Sequence, residues 1–284
     1  MTIKIGILGC QSKHAEIFGS LFNVTAAFPG FSVPFIFGDD APSRLNYVCK
    51  TAHIPQTCQN TAELINLSDA VLITYRLAER HFDLAMACIE QEKPVFVDKP
   101  FTLEDGQAQA LAAASLEKGI PLIGGSTLSY NPQLTEFNPK ALSASLGMIA
   151  YRVDPNSPFG GYRFYGSHLT DLCATVFHTA AESTRAYQMG ETINVLVQYP
   201  DQTVILHSHP DFEKPEITLS EGRRLVSFEL DDVNCYHHGM HAFVSAIQSH
   251  KPDPVKLSHL VFSTKLLSSI IKSLETGETI ALTR

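Results

Sequence analysis

The sequence predicts a two-domain α/β protein: a doubly wound parallel sheet over residues 1–124, then an α+β domain with an open antiparallel sheet over residues 125–284. Three observations predict it. Short apolar runs alternate with helical periodicity up to about residue 125, strand-like runs joined by turn signals dominate beyond about residue 145, and 284 residues exceed the usual span of a single core.

In the first half, Ile3 to Leu8 is an apolar strand ending at Gly9, and Ala15 to Phe22 follows with Phe18, Leu21 and Phe22 at helical spacing. A second strand runs from Val33 to Phe37 and is closed by Asp39 and Asp40. Thr61 is placed to cap a short helix, Ala70 to Thr74 forms a strand, His81 to Glu90 a helix, and Val95 to Val97 the strand that delivers Lys99. Thr102-Leu103-Glu104-Asp105 reads as a capping box opening an Ala-rich helix that ends at Gly119, and Pro121 to Gly125 is one more strand. In the second half, strand patterns cover Ile149–Val153, Thr192–Tyr199, Thr203–His209, Glu216–Leu219 and Leu225–Leu230. A helix begins near Ser167, and His238 to His250 and Leu257 to Glu275 close the chain as helices, giving a sheet with helices on one face.

Composition excludes several classes of function. The formal charge is −8 with a sequence pI near 5.8, and Lys and Arg are not clustered, so nucleic acid is not an expected partner. No apolar run reaches membrane-spanning length, and Met1-Thr2-Ile3-Lys4-Ile5 leads straight into a strand pattern, so a cytoplasmic location is expected and no membrane partner. The six cysteines form no C-x-x-C pair and are read as buried reduced thiols. His237-His238-Gly239-Met240-His241 and His207-Ser208-His209 bring imidazoles together, but no third ligand joins them at a metal-binding spacing, so no metal is expected.

In a doubly wound sheet, ligands bind beyond the carboxyl ends of the strands. Gly9-Cys10-Gln11-Ser12-Lys13-His14 stands where a dinucleotide fingerprint would read G-x-G-x-x-G, with only the first glycine kept. Helix N-terminal amides can still hold a pyrophosphate there, with Gln11 and His14 reshaping the approach; an ordinary tight turn is the alternative. Asp39 lies where an acidic residue bonds the adenosine ribose, which favours NAD over NADP, although Asp39-Asp40-Ala41-Pro42 also fits an Asx turn and nearby Arg44 leaves NADP open.

The order of the Gly9 turn, Asp39, the run Asp69 to Thr74, His81, the stretch KPVFVDKPF at 93–101, Gly124-Gly125 and Asn131-Pro132 resembles the glucose-fructose oxidoreductase, inositol dehydrogenase and MocA (Gfo/Idh/MocA) family. So does the end, where Phe243 to Ile247 is followed by Lys251-Pro252-Asp253-Pro254. Asp98-Lys99-Pro100 resembles that family's E-K-P motif with Asp for Glu, and Gly166, His168 and Asp171 match its D-x-G-x-H-x-x-D segment. The resemblance implies a Rossmann domain and an open-sheet domain, and hydride transfer between NAD(P) and a hydroxyl carbon of a sugar, polyol or related small molecule. It implies cofactor contacts from Gly9, Gln11, His14, Asp39, Thr74, Asp98 and Lys99, catalytic roles for Lys99 and His168, and a homo-oligomer formed through the C-terminal sheet.

A lysine at a strand's carboxyl end, its direction fixed by Pro100, can hydrogen-bond a reacting hydroxyl, and His168 can take the proton as hydride leaves. The plainer alternatives are a lysine paired with Asp98 at the sheet edge and a structural histidine. Tyr162, Arg163, Asp171 and His241 are candidate substrate-binding residues. Phe164 stands where the resemblance leads one to expect an Asp, and Leu128-Ser129 where it leads one to expect an Arg. Those departures keep two other readings open: a dinucleotide-binding sensor or subunit that no longer catalyses, and an NAD-assisted lyase or glycosidase with no net redox change.

Overall fold

The computed structural model describes residues 2–282. The chain forms two compact units: Met1–Thr102 with Gly106–Gly125 and Gly239–Leu257, and Leu103–Asp105 with Ser126–His238 and Ser258–Arg284.

The first unit holds strands β1 (Ile3–Leu8), β2 (Phe31–Phe37), β3 (Gln56–Thr57), β4 (Ala70–Ile73), β5 (Val95–Asp98) and β6 (Leu122–Gly125), all paired in parallel in the order β3-β2-β1-β4-β5-β6. Every residue of β4, β5 and β6 is buried, which is why these strands read as unbroken apolar runs rather than alternating ones. Helices α1 (Lys13–Asn23), α2 (Pro42–Thr51), α3 (Thr61–Leu67), α4 (His81–Glu90) and α5 (Asp105–Lys118) connect them. The order reverses between β1 and β4, the switch point at which such sheets bind ligands.

Two local readings of the sequence are corrected here. The turn signal Asp39-Asp40-Ala41-Pro42 opens the helix α2, with Pro42 in its first turn, where a missing N–H costs nothing. The cap of α3 is Asn60 rather than Thr61: its side chain accepts from Glu63 N at 2.8 Å while Glu63 in turn accepts from Gln59 N at 2.6 Å. Gly119, at φ +69°, ends α5 where expected. Gly124 has a different necessity, since a Cβ there would stand 2.1 Å from Val97 O on the neighbouring strand.

The second unit contains β7 (Leu146–Tyr151), β8 (Ser183–Met189), β9 (Thr192–Gln198), β10 (Thr203–Ser208), β11 (Glu216–Glu221), β12 (Arg224–Glu229) and β13 (Ile280–Ala281), ordered β12-β11-β7-β10-β9-β8-β13. Its helices are α6 (Gln133–Ser143) and α7 (Tyr162–Phe177), and α8 (Cys235–Ser249) and α9 (Pro254–Thr276) follow, each crossing into the first unit. The sheet is antiparallel except where β10 lies parallel to β7, the long excursion through α7, β8 and β9 allowing the chain to return in the same direction. One face carries the core, with Ile149, Val195, Val204, Leu206 and Leu219 buried together with Leu169, Leu172 and Phe177 of α7 and Leu266 and Ile270 of α9. The other face leaves Tyr187, Met189 and Leu196 exposed. Helix α7 begins at Tyr162 after Gly161, five residues before the expected start, and the Ser167 hydroxyl donates to Phe164 O at 2.9 Å instead of capping. The stretch Gly239–Leu257, with most of α8 and the first residues of α9, belongs to the first unit, where Phe243 meets Phe96 edge-on at 5.9 Å. No described helix is long and apolar enough to cross a membrane.

Candidate functional site

At the end of β1 the chain must turn sharply against β4. Gly9 takes φ +98°, and a Cβ there would lie 2.7 Å from Tyr75 N. Buried Thr74 fixes the turn by donating its hydroxyl to Gly9 O at 2.8 Å, and its N–H to Leu8 O at 2.7 Å. From the other side Arg44 donates to Cys10 O at 2.7 Å and Ser12 O at 2.9 Å, and pairs with Glu16. The carbonyls are thereby satisfied, whereas the amides of Gln11, Ser12 and Lys13 donate to no described protein atom. Ser12 caps α1 by accepting from His14 N at 3.1 Å. A short run of unsatisfied amides at the N-terminus of an 11-residue helix suits a pyrophosphate by hydrogen bonding and by the helix dipole. Arg44, which left NADP open in the sequence, is engaged with the turn itself.

Asp39, beyond the end of β2, pairs with Arg80 at the half-exposed rim. Arg80 also donates to the Tyr75 hydroxyl at 3.0 Å and lies 4.6 Å from the centre of that ring. Arg80 and Tyr75 escaped the sequence reading, because the segment 75–80 between β4 and α4 carries no turn or ligand motif.

His14, in the place of the fingerprint's third glycine, reaches across to β5, where its Nδ1 lies 2.6 Å from Asp98 Oδ2. Asp98 is 1 % exposed; burial alone would raise its carboxyl, but His14 and Lys99 outweigh that and hold it below the usual carboxylate range. Lys99 follows, 4 % exposed, before a cis bond to Pro100. Burial pushes its ammonium down to about 8, with Arg76 adding to the effect and Asp98 opposing it. Fully buried His81 ties this corner to the end of β4: its two nitrogens lie 2.8 Å from Pro100 O and 2.9 Å from Tyr75 O, and burial lowers its pKa.

A second polar cluster lies in the other unit. The Ser126 hydroxyl is 2.6 Å from His168 Nδ1, and Ser126 N donates to Asp171 Oδ2 at 2.5 Å. The second oxygen of Asp171 accepts from the Ser263 hydroxyl. Tyr151 and Tyr165 stand beside the His168 ring at centroid distances of 5.6 and 6.4 Å. Among the other residues named from the sequence, Tyr162 is buried in the core of this unit, Arg163 donates to Leu103 O at 2.8 Å, and Phe164 packs between Phe159 and Tyr165. His241 is exposed on α8 in the first unit, and Gln11 is half-buried in the Gly9 turn. Ser126 and Ser263 were missed because isolated serines carry no signal until the fold brings them to a histidine or a carboxylate. Among the described residues no three His, Cys, Asp or Glu side chains converge as a metal site would need.

The sheet order, the amide-lined turn at the switch point and the acidic residue after β2 define a dinucleotide-binding protein of the Rossmann class. Residues 3–125 match the model of the Gfo/Idh/MocA family, described as an oxidoreductase family with an NAD-binding Rossmann fold. Solved structures share the fold over nearly the whole chain. GenD2 from gentamicin A biosynthesis, in complex with NAD, is 16% identical with a TM-score of 0.83, covering 100% of this chain and 97% of its own. A scyllo-inositol dehydrogenase from Lactobacillus casei with bound NAD(H) and scyllo-inositol is 14% identical with a TM-score of 0.82, covering 99% of each chain. An oxidoreductase from Agrobacterium radiobacter in complex with NAD+, L-tartaric acid and magnesium is 15% identical with a TM-score of 0.77, covering 99% of this chain and 98% of its own. No protein of curated function matches the sequence.

Proposed function

We propose that the protein is a cytoplasmic dehydrogenase that moves hydride between NAD and a hydroxyl-bearing carbon of a small polyol, sugar or related compound. The observation that carries this reading is Lys99, a buried lysine at the carboxyl end of β5 whose ammonium is pushed down to about 8. A lysine that served only to pair with a carboxylate would be held up rather than down; one that titrates near neutrality can hydrogen-bond an alcohol oxygen and take up or return its proton. NAD, when bound, would supply the hydride acceptor. The amides of Gln11 to Lys13 would hold its pyrophosphate, Asp39 its adenosine ribose once Arg80 yields, and His14 with Asp98 would fix the end of β5 from which Lys99 projects. In the second unit His168 is assigned to the reacting oxygen, with Asp171 as its support through Ser126. Arg163 and His241 are assigned to the substrate, whereas Tyr162, inside the core, is given no contact with it. Support for a homo-oligomer comes from the open sheet face, where Tyr187, Met189 and Leu196 leave apolar area exposed.

The test is NADH production from NAD with a panel of inositols, other polyols, sugars and hydroxy acids such as tartrate. Turnover with at least one of them, reduced by roughly 100-fold or more in Lys99→Met and in His168→Gln, is the expected result. No turnover with any of the panel, or turnover that survives both substitutions, would overturn the proposal.

A further inference from the structure

Helix α7 carries His168 one turn after Phe164, on the same side of the helix. Phe164 is buried between the rings of Phe159 and Tyr165, at 5.4 and 4.8 Å, and has no atom with which to hold an imidazole. The group that does hold it comes from the segment after β6. Ser126 is fully buried, its hydroxyl 2.6 Å from His168 Nδ1, and it opens the 3-10 turn Thr127–Tyr130. Its main chain is pinned by Asp171, which accepts from Ser126 N at 2.5 Å and is itself held by the hydroxyl of Ser263, a buried residue whose oxygen also lies 2.9 Å from Thr170 Oγ1. Tyr151 meets the ring edge-on and Tyr165 lies nearly parallel to it, so little rotation is left.

The direction of the short hydrogen bond follows from counting protons. Ser126 Oγ already accepts the Leu128 N–H at 3.2 Å. If Nδ1–H donated to it as well, the serine's own proton would be buried with no described acceptor; with the hydroxyl donating to Nδ1, the Ser126 proton, Nδ1 and the Leu128 N–H are all satisfied. The neutral ring then carries its proton on Nε2.

We propose that Ser126 is a positioning residue for His168: it takes over the orienting role that Phe164 cannot perform and holds the neutral imidazole as the Nε2–H form, so that His168 meets the substrate oxygen as a hydrogen-bond donor. This rests on the dehydrogenase reading above, in which His168 is assigned to the reacting oxygen. A serine does this without adding negative charge, as a carboxylate partner would.

The test is nitrogen NMR of histidine-labelled protein near pH 8, with the His168 resonances assigned by His168→Gln. The expected wild-type spectrum shows a single form, Nδ1 unprotonated and accepting, Nε2 protonated. Ser126→Ala should give a mixture of the two neutral forms, Ser126→Thr should restore the single one, and Ser126→Cys, close in volume and a weak donor, should also give the mixture and so covers the case in which alanine disturbs folding. Nδ1 protonated in the wild type, or one unchanged form in all three variants, would overturn the proposal. Wild-type protein titrated with NADH in parallel separates the two levels: if no NADH binds, the dehydrogenase reading fails whatever the spectra show, and the role proposed for Ser126 fails with it.

Discussion

Each unit holds a histidine close to a residue proposed for chemistry, and the two hold it in opposite ways. His14 faces a buried carboxylate, Asp98, next to a buried lysine, whereas His168 faces a serine hydroxyl. The first arrangement concentrates charge where the turn, β5 and Lys99 meet, so it is tied to stability and to pH. The second fixes the position of a proton without adding charge. Each also answers a departure seen in the sequence. His14 takes the place of a glycine and finds the shortened acid Asp98, and Ser126 supplies the partner that Phe164 cannot be.

The comparison is broken most directly at the charged pair. His14→Ala leaves Asp98 buried at 1 % exposure beside Lys99 without its imidazole partner, and the expected loss is about 3 kcal/mol in urea unfolding at pH 7. Because the folded carboxyl lies below its ordinary value, the stability from Asp98 is present above about pH 4 and is lost as pH falls through the folded value. The variant should therefore lose less on acidification than the wild type. A loss under about 1 kcal/mol at pH 7 would show that the pair is only incidental.

Lys99 should act with the opposite sign. Its folded value of about 8 lies below the ordinary 10.5, so between those values the unfolded chain binds a proton that the folded chain does not, and stability rises with pH across that window. Lys99→Met removes the cost of the buried ammonium and should raise stability at pH 7 by about 2 kcal/mol, flatten the rise above pH 8 and abolish turnover. A destabilised variant would mean that Lys99 is a structural anchor.

The cluster around His168 should respond less. Ser263→Ala takes one donor from Asp171, which keeps Ser126 N, and about 1 kcal/mol is expected. A loss as large as that of His14→Ala would erase the distinction between the two clusters. Least of all, Arg80→Ala breaks a pair whose side chains are 41% and 47% exposed, and stability should stay within about 0.5 kcal/mol.

The parallel sheet was legible because its strands are buried on both faces and its helices are amphipathic, two patterns that differ in period. What escaped was set by other forces. Helix α6 contains Pro139, which reads as a breaker, and β8 buries only Thr184 and Ala186 of its seven residues, so its alternation is faint. The parallel pairing of β7 with β10 depends on contacts distant in sequence and leaves no local mark. Of the candidate site, Gly9, Asp39, Asp98, Lys99, His168 and Asp171 could be named from position or resemblance. Their partners Arg80, Thr74, Ser126 and Ser263 are defined by hydrogen bonds, and Thr74 was named only as a cofactor contact, with its grip on the Gly9 turn unseen.

The central claim is that the Gly9 turn and Asp39 bind NAD, and calorimetric titration with NADH and NADPH, run on wild type and Asp39→Ala, tests it most directly. Micromolar NADH binding, weaker binding of NADPH and a marked loss of NADH affinity in the variant are predicted. Failure of the wild type to bind either nucleotide would contradict the claim, leaving the unsatisfied amides of the turn without a ligand and Lys99 without a hydride reaction to serve.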